Sequence, residues 1–123
     1  MKYFLILSFV FFFSCEGSDS LTPSQLKTGT FKTLLDDQET TSIAFRNHKI
    51  QVETYDNKKD TFLIHWKSDF EYILKKTNPK NALDSTSFIV KITGIHKNSY
   101  TFKAYYKGSN YKQKGKAIKI KEL

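Results

Sequence analysis

The chain has little of what catalysis and metal chemistry draw on. Its 123 residues include one cysteine, one tryptophan, three histidines, two prolines and five glycines. A single cysteine excludes a disulfide within the chain. No glycine-rich phosphate loop, G-x-S-x-G or H-E-x-x-H occurs. No apolar run reaches the roughly 20 residues that a membrane-spanning helix requires. His48, His65 and His96 stand at no metal-ligand spacing. The best polar constellation sets His65 opposite Glu71, with Asp69 close by, on the outer face of a hairpin. There an ordinary exposed cross-strand pair is the plainer reading. Neither an enzyme, a metal nor a cofactor is expected.

Charge is present in excess but unevenly. The formal net charge is +8; residues 16–95 balance eleven basic against eleven acidic side chains, whereas residues 96–123 carry eight lysines against Glu122 alone. Attraction to an anionic partner is therefore expected from the C-terminal quarter. That quarter interleaves aromatic residues with lysines, as single-stranded nucleic-acid platforms do. Alternation, however, turns Tyr100, Phe102 and Tyr106 inward, so no nucleic acid is expected. Lys112, Lys114 and Lys116 are the candidate contacts for an anionic lipid head group or glycan.

The cysteine stands where hydrophobic sequence gives way to polar. Lys2 is followed by an apolar run over residues 4–13, too short to span a bilayer and of the length of a secretory h-region. Phe12, Phe13 and Ser14 then lead directly into Cys15. This arrangement resembles the bacterial lipoprotein signal, in which the cysteine thiol receives a diacylglycerol, the chain is cut just before it, and the new amino group is acylated. The resemblance implies a signal over residues 1–14 and an acylated Cys15. Several acyl chains give the two or more signals that stable anchoring needs. Residues 15–27, rich in serine and without apolar periodicity, are expected to be a flexible tether.

Residues 28–123 suffice for one small domain. Their dominant period is two, with β-branched and aromatic residues between short polar turns, which predicts strands near 28–35, 40–46, 49–56, 60–66, 70–76, 87–95, 99–107 and 111–121. Parity sets two hairpins. A three-residue loop at 67–69 pairs Trp66 with Phe70, Ile64 with Tyr72 and Phe62 with Leu74. A two-residue turn at Asn47-His48 pairs Phe45 with Ile50 and Ile43 with Val52. The segment 77–87 is the one long loop, and a bulge at Gly115 would reconcile Lys112, Lys114 and Lys116 with Ile118 and Ile120. The expected fold is all-β: an eight-stranded antiparallel up-and-down meander closed into a small barrel, which removes its exposed edges. Such a barrel resembles the lipocalin architecture. Its roughly twenty inward positions, many aromatic, are expected to leave little spare volume.

Thr28-Gly29-x-Phe31, Ile64-x-Trp66, Glu71-Tyr72-x-Leu74, Asn78-Pro79-Lys80 and Asn98-Ser99-Tyr100-x-Phe102 resemble a group of small Bacteroidetes-type lipoproteins of unknown function. Some of that group carry the label DNA topoisomerase IV, an activity for which this chain is too short and has no acidic metal-binding cluster. The resemblance implies a lipid-anchored domain of the cell envelope, partnered by the membrane through Cys15 and by an envelope protein, lipid or glycan. Replacing Cys15 with alanine is expected to abolish incorporation of labelled fatty acid and release the domain from the membrane fraction with its fold intact; unchanged partitioning would contradict the anchor.

Overall fold

Period-two alternation becomes eight strands in the computed structural model of the chain, described for residues 20–37 and 41–123. They are β1 (Gly29–Leu35), β2 (Thr41–Arg46), β3 (Ile50–Tyr55), β4 (Lys58–Ser68), β5 (Glu71–Lys76), β6 (Phe88–His96), β7 (Ser99–Tyr106) and β8 (Gln113–Lys121). Each pairs antiparallel with the next, and β8 returns to β1, so the sheet closes. The expected all-β, closed up-and-down barrel is therefore the observed one. Asp56 and Asn57, with φ of 44° and 62°, form the two-residue turn between β3 and β4. Both lie in the left-handed region that a type I′ hairpin turn requires.

Both hairpin registers differ from expectation by one pair, with parity kept. Trp66 pairs with Tyr72 and Ile64 with Leu74, because a bulge between Trp66 and Ser68 lengthens the turn and leaves Phe70 half exposed within it. His65 accordingly lies opposite Ile73, and Glu71 sits 3.8 Å from Lys91, so no His65–Glu71 pair forms. On β2 and β3, Phe45 pairs with Val52 and Ile43 with Thr54. The side-chain carbonyl of Asn47 accepts the backbone N–H groups of Lys49 and Ile50, both at 2.9 Å, which widens the turn beyond two residues. No register shift occurs at Gly115. Its inward face instead touches Phe102, since an added Cβ would lie 2.6 Å from that ring, and the shift on β8 falls opposite Thr30 and Phe31.

Which face points inward is the larger difference. On β4 to β7 the apolar set is inside, with Ile64, Tyr72, Leu74, Val90, Tyr100 and Phe102 buried. On β2 and β3 it is the polar set: Ala44, Arg46 and Gln51 are buried, while Ile43 and Phe45 are each 39% exposed. The hairpin is inside out relative to its apolar pattern.

One end of the barrel is shut by that inversion. Pro23–Leu26, within the segment read as tether, forms a 3-10 helix whose Leu26 is fully buried. The Thr22 N–H donates to the Gln25 side chain at 2.8 Å, and the Leu21 N–H donates to the Lys97 carbonyl at 2.8 Å. Arg46, 1% exposed, ties this plug to the barrel wall. Its Nη1 donates to the Leu26 carbonyl at 2.6 Å, Nε to Gln51 Oε1 at 2.8 Å, and Nη2 to the hydroxyls of Tyr72 and Tyr100 at 3.1 and 2.9 Å. The guanidinium lies 4.4 Å from the Phe31 ring centroid and 4.8 Å from that of Tyr72, so aromatic faces supply attraction that no touching carboxylate among the described residues does. Lys119 seals the other side, donating to the Gln25 carbonyl at 2.7 Å and to Glu122 at 2.8 Å. Trp66 lies tilted against Tyr72 with ring centroids 4.6 Å apart, and its buried indole N–H has no partner among the described residues.

Arg46→Ala strips four buried acceptors of their donor at once. Each such loss typically costs about 1–3 kcal/mol, so a destabilisation of at least about 3 kcal/mol is expected. Urea denaturation followed by Trp66 fluorescence should show the midpoint fall; an unchanged midpoint would place Arg46 outside the barrel.

Candidate functional site

The barrel is not filled. Above the floor made by Arg46, Gln51, Tyr72 and Tyr100 lies a cavity of about 390 Å³, reaching toward the end opposite the 3-10 helix. The expectation of little spare volume therefore fails, for a physical reason. Among the residues lining the cavity, Thr33 of β1 and Ser42 of β2 carry small side chains where bulky apolar ones would have reached into the bore.

Its walls are unlike. Leu35, Leu74, Phe88, Val90, Phe102 and Tyr106 give one side an apolar lining. Gln51, Glu53, Tyr55, Asp60, Lys76 and Asp84 give the other a polar one. β3 contributes three of these because its inward residues, at period two, are Gln51, Glu53 and Tyr55. Hydrogen bonds run up this wall. Gln51 receives the Arg46 Nε–H and passes its own Nε2–H to Glu53 Oε1 at 2.8 Å. Nearer the mouth, the Tyr55 hydroxyl donates to Asp60 at 2.6 Å, and Lys76 lies 3.8 Å from Asp60 and 3.3 Å from Asp84. Asp84 belongs to the long 77–87 loop, which the Lys76 contact fastens to the rim.

These environments move the titrations. Burial raises the Glu53 carboxyl above the ordinary glutamate value, opposed by the Gln51 hydrogen bond and the positive charge of Arg46. The Tyr55 phenol is pushed up to about 12, first by its hydrogen bond to Asp60 and then by burial. Asp84 is lowered, chiefly by the backbone N–H of Lys80 and then by Lys76. Burial holds the Tyr72 phenol well above its ordinary value. At the floor, the Tyr72 and Tyr100 oxygens are 3.0 Å apart and both accept from Arg46. Only one can donate to the other, so one hydroxyl proton is left for whatever occupies the cavity.

The positions singled out from the sequence lie elsewhere. Cys15 and the segment 1–14 fall outside the described residues. Lys114 and Lys116 are exposed on β8, with Lys103 opposite Lys114, while Lys112 precedes the strand with its ammonium 5.4 Å from the Tyr105 ring centroid. None of the three borders the cavity. Among the described residues no group of three or more His, Cys, Asp or Glu is placed to hold a metal ion. Sequence reasoning missed the cavity wall altogether. The signal that points to it is the polar run at alternate positions, Gln51, Glu53 and Tyr55, directly after Arg46. Comparison of the chain with protein-family models, with curated proteins and with solved structures returns no match.

The raised Glu53 pKa fixes a sign. A group whose folded pKa lies above its unfolded value stabilises the fold below the unfolded pKa and loses that contribution as pH rises through the folded one. Arg46 from β2, Asp60 from β4 and Lys76 from β5 are the charges acting on Glu53. Glu53→Gln, which keeps an acceptor for Gln51 but cannot ionise, is therefore expected to raise the melting temperature at pH 8 and to match the parent near pH 4. A difference independent of pH would contradict the buried, weakly compensated carboxylate.

Proposed function

We propose that this chain is a lipid-anchored, non-enzymatic binding protein of the cell envelope, tethered through Cys15 and holding a small amphiphilic molecule in its barrel. The observation that carries the reading is the cavity of about 390 Å³ with one apolar and one polar wall. That volume lies at the lower end of the 300–1,000 Å³ typical of ligand pockets, and the lining has their usual character: mostly apolar, with a few placed polar groups. The plug at the other end leaves the opposite end of the barrel, bordered by Tyr55, Asp60, Lys76 and Asp84, as the entry. The exposed lysines of β8 and the loop before it, Lys112, Lys114 and Lys116, suit the anionic surface to which such a tether would hold the domain.

A second reading, a structural subunit of an envelope complex, draws support from the outside of the barrel. The inverted β2–β3 hairpin places Ile43, Phe45, Ile50 and Val52 on the outer face, and Ile50 pairs with Leu63, which is 55% exposed. Adjacent apolar side chains of this kind suit a protein partner.

Native mass spectrometry of the chain extracted from its membrane tests both. A retained small molecule released on unfolding is the expected result. A bare mass with a co-purifying subunit would favour the structural reading instead.

A further inference from the structure

Carboxylates outnumber cations around the cavity. Glu53, Asp60 and Asp84 face it, against Lys76 and Arg46. Lys76 is shared between Asp60 and Asp84. Arg46 is committed to Gln51, Leu26, Tyr72 and Tyr100. Glu53 is thus the surplus charge. Its Oε1 accepts from the neutral amide of Gln51, and its Oε2 is left to the cavity. A carboxylate taken from water and given one neutral donor is poorly compensated, and a cation beside it repairs the deficit. The cation is not a metal ion, for which no cluster of ligands converges among the described residues. Nor would an anion be favoured against a wall of net negative charge. The lining also includes the rings of Phe88 and Tyr106, with centroids 5.0 Å apart, an apolar surface suited to the hydrocarbon part of an organic cation.

We propose that the cavity takes a small organic amine in its protonated form, the ammonium donating to Glu53 and the apolar body resting against Leu74, Phe88 and Phe102. The proposal rests on the reading of the cavity as a ligand site and assigns that site its chemistry. Lys76 holds Asp60 and Asp84 at the rim, which leaves Glu53 as the deep acceptor. The amine then enters nitrogen first and presents its apolar end to the mouth. Discrimination comes from Glu53: a neutral isostere leaves the carboxylate uncompensated, and an acid of the same size meets it as a like charge.

The test is isothermal titration calorimetry of the full chain in detergent with three probes of one shape: 2-phenylethylamine, 2-phenylethanol and phenylacetate. The amine is expected to bind at least tenfold more tightly than the alcohol, and phenylacetate more weakly than either. In Glu53→Gln the preference for the amine over the alcohol should vanish. Should that variant fail to fold, Glu53→Asp, which keeps the charge but draws it back, should weaken the amine more than the alcohol. Equal binding of amine and alcohol, tighter binding of phenylacetate, or an amine preference that survives Glu53→Gln would overturn the proposal while leaving the cavity a binding site. If no probe binds, the proposal falls, and the mass of the extracted protein then decides separately whether the cavity holds a ligand at all.

Discussion

A guanidinium placed inside a small barrel must find acceptors for its N–H groups there, and the way Arg46 finds them organises the rest of the molecule. Its partners come from the 3-10 helix, β3, β5 and β7. Holding the Leu26 carbonyl shuts one end of the barrel. Holding the Tyr72 and Tyr100 hydroxyls turns two large rings across its bore and makes a floor. Reaching Gln51 fixes the inward face of β3, and strand geometry then brings Glu53 and Tyr55 inward as well. The cavity and its polar wall follow from the burial of one side chain.

The cost of that arrangement appears elsewhere. Among the described residues Arg46 has no carboxylate in contact; aromatic faces and neutral acceptors stand in for one, and Glu53 acts only at a distance through Gln51. Glu53 is left undercompensated. Apolar residues of β2 and β3 are turned out to solvent, where they form the outer face described above. Features that weaken an isolated domain in this way are those expected of a protein that keeps a binding site or an interface.

Strand order, closure and most strand limits were legible in the sequence, because period-two alternation and polar turns leave few alternatives for a chain of this length. The inward faces of β4, β5 and β7 were legible too, since their apolar and polar sets separate cleanly. β2 and β3 were not. Alternation there divides Ile43, Phe45, Ile50 and Val52 from Ala44, Arg46, Gln51 and Glu53, but period two alone does not say which set faces the core. Burial of apolar surface favours the first; the hydrogen bonds of Arg46, joined to a plug that looked like linker, decide for the second. On β8 the apparent phase conflict at Gly115 arose from the same assumption. The inward residues are Gly115, Ala117 and Lys119, chosen by close approach of Phe102 and by the capping role of Lys119 rather than by hydropathy. The polar wall of the candidate site could not be read because Gln51, Glu53 and Tyr55 lie on a strand whose apolar set was expected to face inward.

Side-chain NMR of Arg46 tests this account most directly. The account predicts a resolved Nε–H resonance that exchanges slowly with water and shows nuclear Overhauser contacts to the rings of Phe31, Tyr72 and Tyr100. An Arg46 Nε–H that exchanges as fast as that of a solvated arginine, with Phe45 and Ile43 shielded from solvent in its place, would contradict it.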